Sequence, residues 1–67
     1  MSVQNPVAGE MWLNNEDGDY LFITHREIKV IESMNIEWIW WNNLNCKYHD
    51  DSSLTWFLAN CRKKNND

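Results

Sequence analysis

The sequence predicts an α+β domain in which a small twisted antiparallel sheet of about four strands, a meander, packs on one C-terminal helix. Three observations carry this. An Asp17-Gly18 pair separates two runs rich in aromatic and branched residues, as a hairpin turn would. The stretch IEWIWWNNL, residues 36–44, has the aromatic and β-branched composition that a pleated surface favours. Leu54, Phe57, Leu58 and Cys61 recur at the i, i+3, i+4, i+7 spacing of one helical face.

Taken in order, residues 1–9 (MSVQNPVAG) read as a mobile lead-in, because Pro6 and Gly9 interrupt any regular pattern. The sheet occupies residues 10–44. Its first two strands, residues 11–13 and 20–24, form a hairpin around the Asn, Glu, Asp and Gly of the intervening turn. REIKVIES follows as a half-buried strand alternating Ile28 and Val30 with Glu27 and Lys29, and SMN turns it into the tryptophan-rich fourth strand. Residues 45–52 are a loop by composition. Ser52 or Ser53 caps a helix over residues 53–63, with Asp50 and Asp51 before it and Arg62, Lys63 and Lys64 at its end, the polarity a helix dipole favours. Residues 64–67 are a frayed tail.

A chain of 67 residues, 43% hydrophobic and 24% charged, is one domain close to the lower limit at which a core alone offsets chain entropy. The formal charge is -4. Residues 1–45 carry seven acidic against two basic side chains, while the remainder carries three against four. Such a surface is poorly suited to a phosphate backbone and well suited to a basic protein surface. MSVQNPVAGE shows no cationic start and no apolar stretch, and no long apolar run occurs, so no leader or membrane partner is expected and the protein reads as soluble and cytoplasmic. Two cysteines do not make a disulfide framework. Ten asparagines and four lysines against two arginines give the composition of an AT-rich coding sequence, as in many bacteriophages, although Asn also serves turns.

Catalytic motifs are missing. No nucleophile elbow, phosphate loop or dinucleotide fingerprint occurs, and no cofactor is implied. The acidic pair Asp50-Asp51 and the cluster Glu16, Asp17, Asp19 are explained by capping and turn formation. Cys46 and His49 have the spacing of half a zinc site, with Cys61 and His25 as further donors, but a solvated loop histidine and a core-facing Cys61 explain them as well, and no metal site is assigned.

The tryptophans admit two readings. Alternation groups Ile36, Trp38 and Trp40 on one face of their strand and Glu37, Ile39 and Trp41 on the other, and separates Leu21 and Ile23 from Tyr20 and Phe22. Either all are ordinary core, or Trp38 and Trp40 point inward and Tyr20, Phe22, Ile39 and Trp41 form an exposed partner-binding surface bordered by Asp17, Asp19 and Glu37.

The segment GEMWLNNEDGDYLFIT resembles the opening hairpin of small SH3-like β-barrel accessory proteins of phages and prophages, with a Gly-x-x-Trp strand, an acidic turn and a second aromatic strand. DSSLTWFLANC is similar to the helical turn such barrels place beside their last strand. Together these features point to a non-enzymatic protein-binding module, in its most concrete form a phage-encoded acidic inhibitor of a bacterial host or defence protein. The alternatives are an SH3-like or OB-like nucleic-acid-associated module with stacking aromatics, and a homo-oligomeric structural subunit, the simplest being a homodimer.

Overall fold

The computed structural model describes residues 6–64. It is a mostly-sheet α+β fold: five antiparallel strands and one short helix, in the order β1 (Met11–Asn14), β2 (Tyr20–Ile31), β3 (Met34–Asn43), β4 (Tyr48–Ser53), α1 (Leu54–Asn60) and β5 (Cys61–Lys63). The spatial order is β4-β3-β2-β1-β5. The count exceeds the expected four because the segments expected as second and third strands are one continuous β2, while β4 and β5 arise where a loop and the end of a helix were expected.

The β1/β2 hairpin forms as the sequence predicts. Gly18 sits at φ +76, its amide donates to Asn14 O at 2.8 Å, and Asn14 N donates to Asp19 O. Residues 6–9 are tied down, in contrast to the expected mobile lead-in. Gly9 N donates to the carbonyl of Ile23 and Ile23 N to that of Glu10, and the Pro6 ring is buried. Residues 1–5 of that lead-in and residues 65–67 of the tail lie outside the described residues.

β2 and β3 meet at a two-residue turn, Glu32-Ser33, both at positive φ. A hairpin that pairs Ile31 with Met34 requires this geometry. From that pair the ladder runs without interruption to His25↔Trp40, then shifts by one residue at Thr24, so that Ile23 pairs with Trp41 and Leu21 with Asn43. The shift decides which tryptophans are core. An unbroken ladder would place Ile23 opposite Asn42, on the face of Trp38 and Trp40; the bulge moves it to the face of Trp41 and Ile39.

The core is the layer between that face and α1. It contains Trp12, Leu21, Ile23, Ile39, Trp41, Phe57 and Cys61. Phe57 packs its ring on both Trp12 and Trp41, with centroids 5.2 and 5.0 Å away. Ser53 caps the helix by accepting from Trp56 N at 3.2 Å. The helix has seven residues, not eleven, because Cys61 is already extended and opens β5, which pairs with β1. Arg62 and Lys63 are consequently strand residues and Lys64 follows the strand, while Asp50 and Asp51 lie in β4. Leu58, expected on the buried stripe, is 37% exposed. So short a helix turns only one side toward the sheet, and Phe57 occupies it.

Candidate partner-binding surface

The face of the sheet opposite α1 is built by β2, β3 and β4. Cross-strand pairing places His25 beside Trp40, Glu27 beside Trp38 and Phe22 beside Asn42, with Asp51 of β4 opposite Trp40. The Trp38 indole Nε1 donates to Asp51 Oδ2 at 2.7 Å. The His25 ring lies 5.0 Å from that of Trp40, and His25 Nε2 is 3.1 Å from Glu27 Oε2. The Lys29 ammonium folds over both indoles, 4.5 Å from the Trp38 centroid and 5.5 Å from Trp40. These rings are half-buried by one another and by Lys29, and the helix is on the far side.

This inverts the expected orientation of β3. Ile39 and Trp41, expected outward as partner contacts, are core, and Trp41 keeps only 4% exposure. Trp38 and Trp40, expected inward, line the outer face. Tyr20 and Phe22 are exposed on that face, at 39% and 36%, so they share it with Trp38 and Trp40 and not with Ile39 and Trp41. Glu37 shares the inner face with Ile39 but lies beyond the helix, where the Arg26 guanidinium bonds both its carboxylate and the Pro6 carbonyl. A carboxylate on an inward-facing position was the misleading signal in the sequence.

Asp17 and Asp19 serve the turn. Asp17 Oδ1 accepts from Asp19 N, and Asp19 Oδ2 accepts from Asn43 Nδ2 at 3.0 Å and from the Cys46 thiol. Asn43, a buried polar side chain, closes the β3/β4 turn by accepting from Asn45 N and Cys46 N. The residues with the spacing of half a zinc site are dispersed: Cys61 is in the core, Cys46 is on an exposed turn and His49 is on the outer face. Among the described residues no three metal-binding side chains converge. Burial pushes the Cys61 thiol up to about 11, and desolvation together with Asp19 raises that of Cys46. Neither microenvironment favours a thiolate nucleophile.

A shallow hollow of about 300 Å³ opens next to this face, lined by Asn42, Leu44, Lys47, Tyr48 and His49 among others. Asn42 Oδ1 is buried there with no donor among the described residues. No helix of the described residues is long and apolar enough to cross a membrane. The chain matches no known family model, and no curated protein or solved structure is significantly similar to it.

Proposed function

We propose that the protein is a non-enzymatic protein-binding module that engages a basic partner through the outer face of β2, β3 and β4. The observation that carries this reading is the pair Trp38 and Trp40, with Phe22 and Tyr20 further along the same face, on the side of the sheet that the helix does not cover. Half-buried indoles with a charged rim have the composition of an interaction hot spot. The Lys29 ammonium lies on both rings, so these indoles accept a cation; a lysine or arginine from another chain would displace it to make the same contact, and Glu27 and Asp51 add negative charge beside it.

A short helix between the fourth strand and a last strand that returns to pair with the first supports an SH3-like arrangement of the module. Its most concrete form is a phage-encoded inhibitor of a host or defence protein acting in the bacterial cytoplasm, a reading supported by small size, net charge of -4 and Asn-rich composition.

The test is affinity capture from nuclease-treated bacterial lysate, followed by titration of the captured protein against variants. Trp40→Ala and Phe22→Ala should remain folded and lose about 2 kcal/mol of binding, roughly thirtyfold in Kd. Undiminished affinity in both variants refutes the assignment of the face. Loss of all capture on nuclease treatment moves the module to the nucleic-acid class.

A further inference from the structure

The distal half of the β2/β3 hairpin projects past the core as a two-stranded arm. Ile28 is 60% exposed and Val30 72%, and Ile31 and Met34 are exposed at its tip. REIKVIES was expected to bury the face bearing Ile28 and Val30; nothing among the described residues lies on it, because α1 ends its cover at Ile39. Two-stranded ribbons are marginal in water on their own. Among the described residues the edge of β2 is also open in its main chain beyond Ile23, since β1 pairs only as far as Phe22, the residue 9–10 segment only with Ile23, and Pro6 meets the Arg26 side chain alone.

Backbone phase fixes what that edge offers. Ile31 and Met34 flank a two-residue turn and are therefore a hydrogen-bonded pair. By alternation Lys29 and Glu27 also direct their main-chain groups at β3, whereas Val30, Ile28 and Arg26 direct theirs away from it, toward the open edge.

We propose that this edge pairs with the same edge of a second copy, antiparallel, about a two-fold axis through Ile28. The pairing is self-complementary at every position. Ile28 meets Ile28 of the second copy, Arg26 meets its Val30, and the outward amides and carbonyls of residues 26–30 are joined in about six main-chain hydrogen bonds. Glu27 falls opposite Lys29 of the second copy, and Lys29 opposite its Glu27. These are non-hydrogen-bonded positions, where facing side chains approach most closely. Opposite charges placed symmetrically about one apolar residue make this strand attract itself, where most charged edge strands repel a copy. The axis is perpendicular to the sheet, so the two sheets become one, and both outer faces bearing Trp38 and Trp40 lie on the same side. The pairing does not depend on those faces binding a partner.

Sedimentation velocity across a concentration series tests the pairing, with circular dichroism to establish folding. The native chain should reach the mass of a dimer. Ile28→Lys, at an exposed position on the axis, should be a folded monomer. Glu27→Lys alone and Lys29→Glu alone each set like charges opposite one another and should raise the dimer Kd about tenfold or more. Mixed in equal amounts, those two variants regain complementarity and should form a heterodimer. A native chain that stays monomeric to millimolar concentration overturns the proposal, as does a dimer unaffected by Ile28→Lys. Failure of the two reversed variants to pair with each other overturns the register.

Discussion

Replacing Trp41 with Ala should unfold the protein, whereas replacing Trp38 or Trp40 should not. Trp41 is held between Ile23 across the strand pair, the Phe57 ring at 5.0 Å and the Trp56 ring, parallel to it at 6.3 Å. Truncating a tryptophan so enclosed costs about 3 to 5 kcal/mol, the upper part of that range where aromatic neighbours lose their partner. A domain of this size without disulfides has a total stability of about 3 to 5 kcal/mol, so the loss consumes most or all of it. Trp38 is half-buried and gives up only part of that transfer energy. Its hydrogen bond to Asp51 is exposed, leaving a carboxylate that water can solvate, and its contact with the Lys29 ammonium is worth about 0.5 to 1 kcal/mol. Trp38→Ala should therefore cost about 1 to 2 kcal/mol in all. Urea unfolding followed by far-ultraviolet circular dichroism compares them without relying on the fluorophores being removed. If Trp38→Ala and Trp40→Ala unfold as readily as Trp41→Ala, the sheet faces the other way and the inverted assignment of β3 is wrong.

The Glu32-Ser33 turn places two residues that disfavour positive φ where Asn-Gly is preferred, so Glu32→Asn combined with Ser33→Gly should raise stability by about 1 kcal/mol, read as a higher urea midpoint; an unchanged or lower midpoint contradicts the turn geometry. Glu10 gives a pH prediction. Burial alone would raise its pKa, but bonds from Lys63, the Trp12 indole and the Val7 amide prevail and hold it below the ordinary 4.5. A carboxyl depressed in the folded state contributes stability in full above its unfolded pKa and loses it as pH falls through the folded value. Glu10→Gln should thus be less stable than the native chain at pH 7 and show a shallower decline in stability below about pH 4.5. Equal pH profiles for the two proteins would remove Glu10 from the account.

The parts of the fold that were legible in the sequence are those fixed by local chemistry. Asp17-Gly18 announced the first hairpin, the Ser52-Ser53 pair announced the helix start, and the composition of residues 36–44 announced a strand. Alternation also sorted β3 correctly into two sets. What it could not supply was which set faces inward, because that depends on a one-residue bulge at Thr24, and no side chain there advertises it. β4 was missed for a different reason. YHDDSS is polar after Tyr48 and carries no apolar period, yet it pairs along its length with β3, which supplies the apolar side chains. Its free edge is shielded locally, since Asp51 N is bonded by the Asp50 carboxylate. The helical stripe was overextended because Cys61 fits the helical period as well as it fits the first position of a core-facing strand. The candidate surface followed the error in β3: Tyr20 and Phe22 are exposed as expected, while Ile39 and Trp41 are buried and Trp38 and Trp40 share the face of Tyr20 and Phe22.

The length of β2 is the remaining physical fact that folding alone does not explain. Twelve residues of strand extend about 40 Å, while the seven residues of α1 extend about 10 Å. The helix can therefore cover only the proximal part of the hairpin, and every residue added beyond Ile39 on β3 or Arg26 on β2 lies outside the core it defines. Those added residues are ordered at a conformational cost of about 1 to 2 kcal/mol each in backbone entropy, offset by ladder hydrogen bonds but by little burial. A chain selected for stability alone would turn nearer the core. The arm retains Ile28, Val30, Ile31 and Met34 in water instead, and the same extension carries Lys29 to the tryptophans and Glu27 to a position opposite its own complement in a second copy. Shortening the hairpin by removing Val30, Ile31, Met34 and Asn35, while keeping the Glu32-Ser33 turn, should accordingly leave the thermal midpoint close to that of the native monomer and abolish self-association. A shortened chain that unfolds would show instead that the arm is part of the core's support.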